Sequence, residues 1–184
     1  NDIRCDITNP GEVRKMIDSV RDDLCGVINT AGIACGISMK DPLDHERLRE
    51  FFATKILGLY QLAHIGYQRV THPFFLLHMG GALDDIDERL GPYTMANGGA
   101  YHFLRFLNRH YGSRIHPFYF ELGFIRNTPI FQALLQQGIV DKSQPVDTLK
   151  SCDDIYQEVL KVLRGEVVPG SLIRFDSDFD EQFT

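Results

Sequence analysis

The 184-residue sequence contains no tryptophan. It also has no apolar run approaching the roughly 20 residues that a bilayer-spanning helix needs, which argues against a membrane role. Positive charge is not in excess. Nineteen Lys and Arg against 25 Asp and Glu give a net charge of −6 and a pI near 5.6, unlike a nucleic-acid-binding surface. Cysteine is sparse, and Cys5, Cys25, Cys35 and Cys152 form no C-x-x-C pair, so neither a zinc site nor a disulfide framework is expected. All four are read as reduced core or near-core residues, which points to the cytoplasm. The seven histidines show no ligand spacing with a carboxylate, so no metal is expected. The opening Asn1-Asp2-Ile3-Arg4 is not a secretory signal. Ser19, Ser38 and Ser113 lack the sharp strand–turn–helix setting of a hydrolase nucleophile. Finally, no Gly-x-Gly-x-x-Gly turn follows a strand. Gly80-Gly81 and Gly98-Gly99 stand in other contexts.

What is present is an alternation of short apolar runs with amphipathic segments. Ile3–Cys5 reads as a strand end. Asn9-Pro10-Gly11-Glu12 reads as a helix start, with Asn9 as cap, Pro10 in the first turn and Glu12 closing a capping box. Leu24–Asn29 suits a strand buried on both faces, and a long helix follows over about 44–68. Phe74–Met79 is the next strand, followed by a polar loop over 84–91. A helix spans about 92–111, a strand 116–122, and two helices 129–137 and 153–163. A last strand covers 171–175, with an acidic solvated tail from Asp176 to Glu181. This order predicts one α/β domain over 1–184, a parallel sheet with flanking helices on both faces.

Several local patterns fall in the order found in one family. Cys5-Asp6-Ile7-Thr8, Asn29-Thr30-Ala31-Gly32, Lys55 on the long helix, Tyr93-x-x-x-Asn97, and Leu122-Gly123 followed by Thr128 resemble successive motifs of the short-chain dehydrogenases. The specific point is a swap. Most members carry Y-x-x-x-K with an Asn on the preceding helix. The ketoreductase domains of polyketide and fatty-acid synthases carry Y-x-x-x-N with the Lys on that helix, as here. Pro42–Leu48 also resembles those domains. The chain therefore looks like the C-terminal two-thirds of a ketoreductase, a partial Rossmann-type doubly wound sheet.

The resemblance implies NADPH-dependent reduction of a β-ketoacyl thioester on a carrier protein. The expected partners are a missing N-terminal half or neighbouring synthase domains. Tyr93 is then the proton donor, Lys55 its tuning cation and Asn97 the completion of the polar network. Asp6, Ile7, Asn29, Ala31, Gly32 and Thr128 are implied cofactor contacts. A tyrosine titrates ordinarily near about 10, and a neighbouring ammonium is expected to lower that value. Two departures stand out. The pyrophosphate-binding turn is missing, which would leave Leu24–Asn29 as an exposed apolar edge strand. The family's serine, thirteen positions before the tyrosine, is Gly80 here, and the stereochemical markers after Gly32 are absent. A catalytically degenerate scaffold domain is the alternative reading. A hydroxyl restored at Gly80 is expected to favour reduction.

Overall fold

Parallel pairing dominates the computed structural model, which describes residues 3–20, 23–81, 88–125, 127–139 and 151–174. Four strands form one sheet in the order β1 (Gly26–Asn29), β2 (Phe74–Gly81), β3 (Ile115–Leu122) and β4 (Leu172–Arg174), each parallel to the next. The helices between them are α1 (Pro10–Val20), α2 (His45–Phe52), α3 (Gly58–Arg69), α4 (Gly91–Tyr111), α5 (Pro129–Gln136) and α6 (Cys152–Leu163). The expected α/β fold is thus present.

Period-two alternation divides the core into two layers. Phe74, Leu76, Ile115 and Tyr119 turn to one face and pack with Val13, Ile17, Leu59, Leu62 and Leu104 of α1, α3 and α4. Leu77, Phe118 and Phe120 turn to the other face and meet Val159 and Val162 of α6. β2 and β3 are buried almost throughout. β1 differs. Among the described residues it bonds only to β2, and Ile28 is 42% exposed, so this strand is not buried on both faces and is instead the exposed apolar edge expected with the pyrophosphate-binding unit absent.

Other expectations are corrected. Ile3–Cys5 forms no strand, because no other described strand lies alongside to complete its ladder. The chain instead turns at Asp6, whose carbonyl accepts from Asn9 N. Asn9 caps α1 as expected, accepting from Gly11 N at 2.9 Å. The reciprocal half of the capping box shifts, since Glu12 accepts from Asp6 N at 2.8 Å. All four cysteines are free thiols, but Cys25 and Cys152 are exposed. Half of the expected 84–91 loop, the end of the last strand at Phe175 and the acidic tail lie outside the described residues, and the described half of that loop is a 3-10 turn at Glu88–Leu90 running into α4 at Gly91.

The long helix is interrupted. Between α2 and α3, Ala53–Leu57 winds as a π-helical segment. The extra residue per turn rotates the chain locally, and Lys55 falls on the buried side. At the far end of α2, Asp44 accepts from Arg47 N at 3.0 Å and satisfies one of the free N–H groups of the first turn. Asp44→Ala should lower unfolding free energy by about 1 kcal/mol in a urea titration, with Asp44→Asn retaining most of it. An unchanged midpoint for the alanine variant would show that the cap contributes nothing.

Candidate active site

The strands end together, and a cavity of about 710 Å³ opens at their C-terminal ends. This is where parallel α/β sheets hold ligands. Thr30 and Gly32 after β1, Gly80 and Gly81 at the end of β2, and Gly123 after β3 form its base. Helices α5 and α6 contribute apolar side chains. Lys55, Tyr93, Asn97 and Thr128 border the same cavity, and no carboxylate does so among the described residues. Five of the nine residues expected to bind or catalyse, Gly32 among them, therefore line it, and the remaining four, Asp6, Ile7, Asn29 and Ala31, do not.

Lys55 is 7% exposed. Burial alone holds its amine well below the usual lysine value, at about 8. The turn 29–32 packs directly on it: a Cβ at Gly32 would stand 3.2 Å from Lys55 Cε and 3.3 Å from Nζ. Asn97 lies one turn after Tyr93 on the buried face of α4. Its amide reaches so close to the end of β2 that a Cβ at Gly81 would be 2.7 Å from Nδ2. Glycine at 81 is what admits Asn97.

Tyr93 is half-buried and meets the Phe51 ring edge-on at 4.9 Å. Its hydroxyl donates to Ile33 O at 2.9 Å and accepts from Cys35 N at 3.1 Å. The phenol is raised above its ordinary value, chiefly by burial. The opposing influences are the Cys35 N–H and the Arg47 guanidinium. The expected lowering by Lys55 is not found, because the hydroxyl is turned into the 33–35 loop.

The outer cofactor residues separate from this group. Asp6 is exposed, and its carboxylate accepts from Thr8 N and Oγ1, which lowers its pKa. Ile7 packs into the core and lies against Gly58, where a Cβ would be 2.5 Å from Ile7 Cδ1. Asn29 is buried and spans two neighbours. Its Oδ1 accepts from Ala31 N at 3.2 Å, and Nδ2 lies 3.0 Å from His78 Nδ1. Thr128 caps α5, accepting from Phe131 N at 3.2 Å and donating to Ile125 O at 3.0 Å. The residues present suit the nicotinamide-ribose side of a dinucleotide. No Gly-rich helix start borders the cavity among the described residues to take its pyrophosphate.

Two further residues shape the site. His78 sits fully buried on β2, in register between Asn29 and Tyr119. Tyr119 donates to Gly81 O at 3.0 Å and covers Gly80. A Cβ at Gly80 would stand 2.0 Å from the Tyr119 hydroxyl oxygen and 2.2 Å from Cζ. The space of the absent serine side chain is filled by this phenol, so restoring the hydroxyl alone does not restore the arrangement. Tyr119 pairs with His78 and reaches Gly80 diagonally, a neighbour that sequence cannot show without the register.

Gly80→Ser should therefore lower stability by about 1–3 kcal/mol through overpacking, not raise activity. Tyr119→Val in the same chain should recover part of that loss in a double-mutant cycle. Strict additivity of the two changes would show that they do not meet. Lys55 yields a pH test. The unfolded chain binds more protons than the folded one between about pH 8 and the ordinary lysine value of 10.5. The burial penalty is full below pH 8 and is relieved as pH rises through that window. Lys55→Met should be more stable than the parent at pH 7, by up to about 3 kcal/mol, with the gap closing towards pH 10. A gap constant with pH would contradict the buried ammonium.

Comparison with known proteins fits this geometry. The model of the KR domain family matches residues 1–102. No curated protein matches the chain in sequence. Among solved structures, a short-chain dehydrogenase from Burkholderia cenocepacia in complex with NADP aligns with a TM-score of 0.76 at 18% identity, over 95% of this chain and 74% of that one. A short-chain type dehydrogenase/reductase from Mycobacterium ulcerans aligns at 0.77 and 16% identity, over 94% and 67%. A variant of ElxO with NADPH bound aligns at 0.78 and 14% identity, over 94% and 75%. At such identities these structures establish the fold, and the match over 102 of 184 residues establishes the family: the chain belongs to the KR domain family.

Proposed function

We propose that this chain forms the reducing half of an NADPH-dependent ketoreductase acting on a β-ketoacyl thioester held by a carrier protein. The observation that carries the reading is the gathering of Lys55, Tyr93 and Asn97 on one cavity with Thr30, Gly32 and Thr128. Bound NADPH would supply the hydride that reduces the carbonyl carbon. Tyr93 would give its hydroxyl proton to the carbonyl oxygen, releasing its bond to Ile33 O as it does so. Lys55 would balance the phenolate left behind, being close to the pH at which its own charge changes. Asn97 would hold the polar network from the next turn of α4. The pyrophosphate-binding unit would come from a polypeptide segment seated on the open edge of β1, either an N-terminal half or a neighbouring synthase domain. The apolar exposed Ile28 suits such an edge.

A second reading rests on two specific contacts. The Tyr93 hydroxyl is engaged on both sides by the 33–35 loop, and Tyr119 fills the place of the carbonyl-orienting serine. Losing one such donor costs roughly 10²–10³ in rate. These contacts support a degenerate ketoreductase domain retained as a scaffold.

Turnover separates the two. In the presence of its pyrophosphate-binding unit, the chain should oxidise NADPH with a β-ketothioester, and Tyr93→Phe should reduce the rate at least about 100-fold while remaining folded, with a melting temperature lowered only by the loss of the two loop hydrogen bonds. Equal rates for the parent and the phenylalanine variant would remove Tyr93 from the chemistry. No oxidation by either would leave the scaffold reading. The isolated chain should bind NADPH only weakly in a calorimetric titration, and a dissociation constant in the low micromolar range would contradict the reading that another segment holds the pyrophosphate.

A further inference from the structure

His78 is a buried titratable side chain that the proposed chemistry does not use. It lies in the row of β2 that faces α3 and α4, with Asn29 beside it on β1 and Tyr119 beside it on β3. Its ring is 0% exposed, and Tyr119 packs 5.8 Å away, centroid to centroid. The hydrogen bonds fix its chemical form. Asn29 Oδ1 is engaged by the Ala31 N–H, so the amide nitrogen of Asn29 is the group that faces His78. An amide nitrogen only donates. His78 Nδ1 therefore accepts, and the ring proton sits on Nε2, which has no hydrogen-bond partner among the described residues. Burial, aided by the charge of Lys55, holds the imidazole neutral, with its pKa near 3.

From these contacts we infer that His78 is a positioning residue for Lys55, acting through Asn29 and the turn 29–32. The chain of contact is continuous. The His78 ring fixes the Asn29 amide, Asn29 holds the Ala31 N–H, and the next residue, Gly32, lies against the Lys55 amine. The turn thereby covers Lys55 where the two meet in the cavity wall. An apolar residue at 78 would leave the Asn29 amide N–H buried without an acceptor, a loss that favours opening of the turn. A protonated histidine would do the same, because Nδ1 would then donate towards a donor. Of the titratable groups on the elements packed about Lys55, His78 of β2 and Tyr93 of α4 are both neutral at pH 7. The inference assumes the reading of Lys55 as a site residue only for its consequence, not for its test.

The test needs neither NADPH nor a ketone. Lysine side-chain NMR on the full chain, with Lys55→Arg assigning the signal, follows the titration of Lys55. His78→Asn keeps an acceptor close to the position of Nδ1, and His78→Leu removes it. The Lys55 midpoint should stay near that of the parent in His78→Asn and rise by a unit or more in His78→Leu, as water reaches the amine. Amide exchange at Ala31 should speed at least about tenfold in His78→Leu alone, while exchange at Leu77 in the sheet is unchanged. A merely structural role would lower stability in both variants and leave the midpoint fixed, and that outcome overturns the inference. If His78→Leu does not fold, Asn29→Leu breaks the same link. A parent-like Lys55 midpoint in folded Asn29→Leu would equally overturn it. Loss of turnover in every variant, with the midpoint behaving as expected, would count against the proposed function and not against this role of His78.

Discussion

β2 runs between β1 and β3 with Leu76 turned into one layer of helices and Leu77 into the other, and neither side chain reaches water. A strand held in this way cannot slip by one residue without sending each apolar side chain to the wrong layer. Its register is therefore fixed, and with it the row Asn29–His78–Tyr119 and the paired glycines at its end. From that register follow the turn that covers Lys55, the close approach of Asn97 over Gly81, and the phenol that lies over Gly80. The site is laid out by backbone pairing first, and side-chain chemistry is fitted onto it.

This order explains what could be read beforehand. Most strand and helix identities were legible because short apolar runs such as Phe74–Met79 alternate with longer segments such as 92–111. The C-terminal gathering of Lys55, Tyr93 and Asn97 was suggested by motif order. Three features were not legible. The π-helical segment at Ala53–Leu57 leaves no periodic mark, since one extra residue in a turn looks like ordinary apolar drift. The meeting of Gly80 with Tyr119 joins positions far apart in sequence and depends on the β2–β3 register. The turn of the Tyr93 hydroxyl towards Ile33 and Cys35 depends on loop geometry that residue types do not encode. Asp6 and Ile7 were singled out by neighbouring letters alone, yet the turn at Asp6–Thr8 leaves one in solvent and the other in the core.

Lys55 and Gly80 pull the chemical interpretation in opposite directions, and physical cost distinguishes them. An ammonium buried without a carboxylate partner among the described residues is a standing penalty that packing alone does not require, because a methionine of similar length would fill the same space. Keeping such a group is reasonable where its charge is used, beside an ionising phenol or a sugar hydroxyl. The glycine at 80 carries no such penalty. Tyr119 closes over it with a satisfied hydroxyl and a fully buried ring, so the strand end loses nothing in stability by lacking a serine. The costly feature is therefore the one that the proposed reduction would use, and the inexpensive feature is the one that departs from it. A domain serving only as scaffold would be under no constraint to keep the buried lysine. The turn 29–32, with Asn29 and His78 behind it, is then best understood as the structure that makes an otherwise unfavourable lysine tenable at the mouth of the sheet.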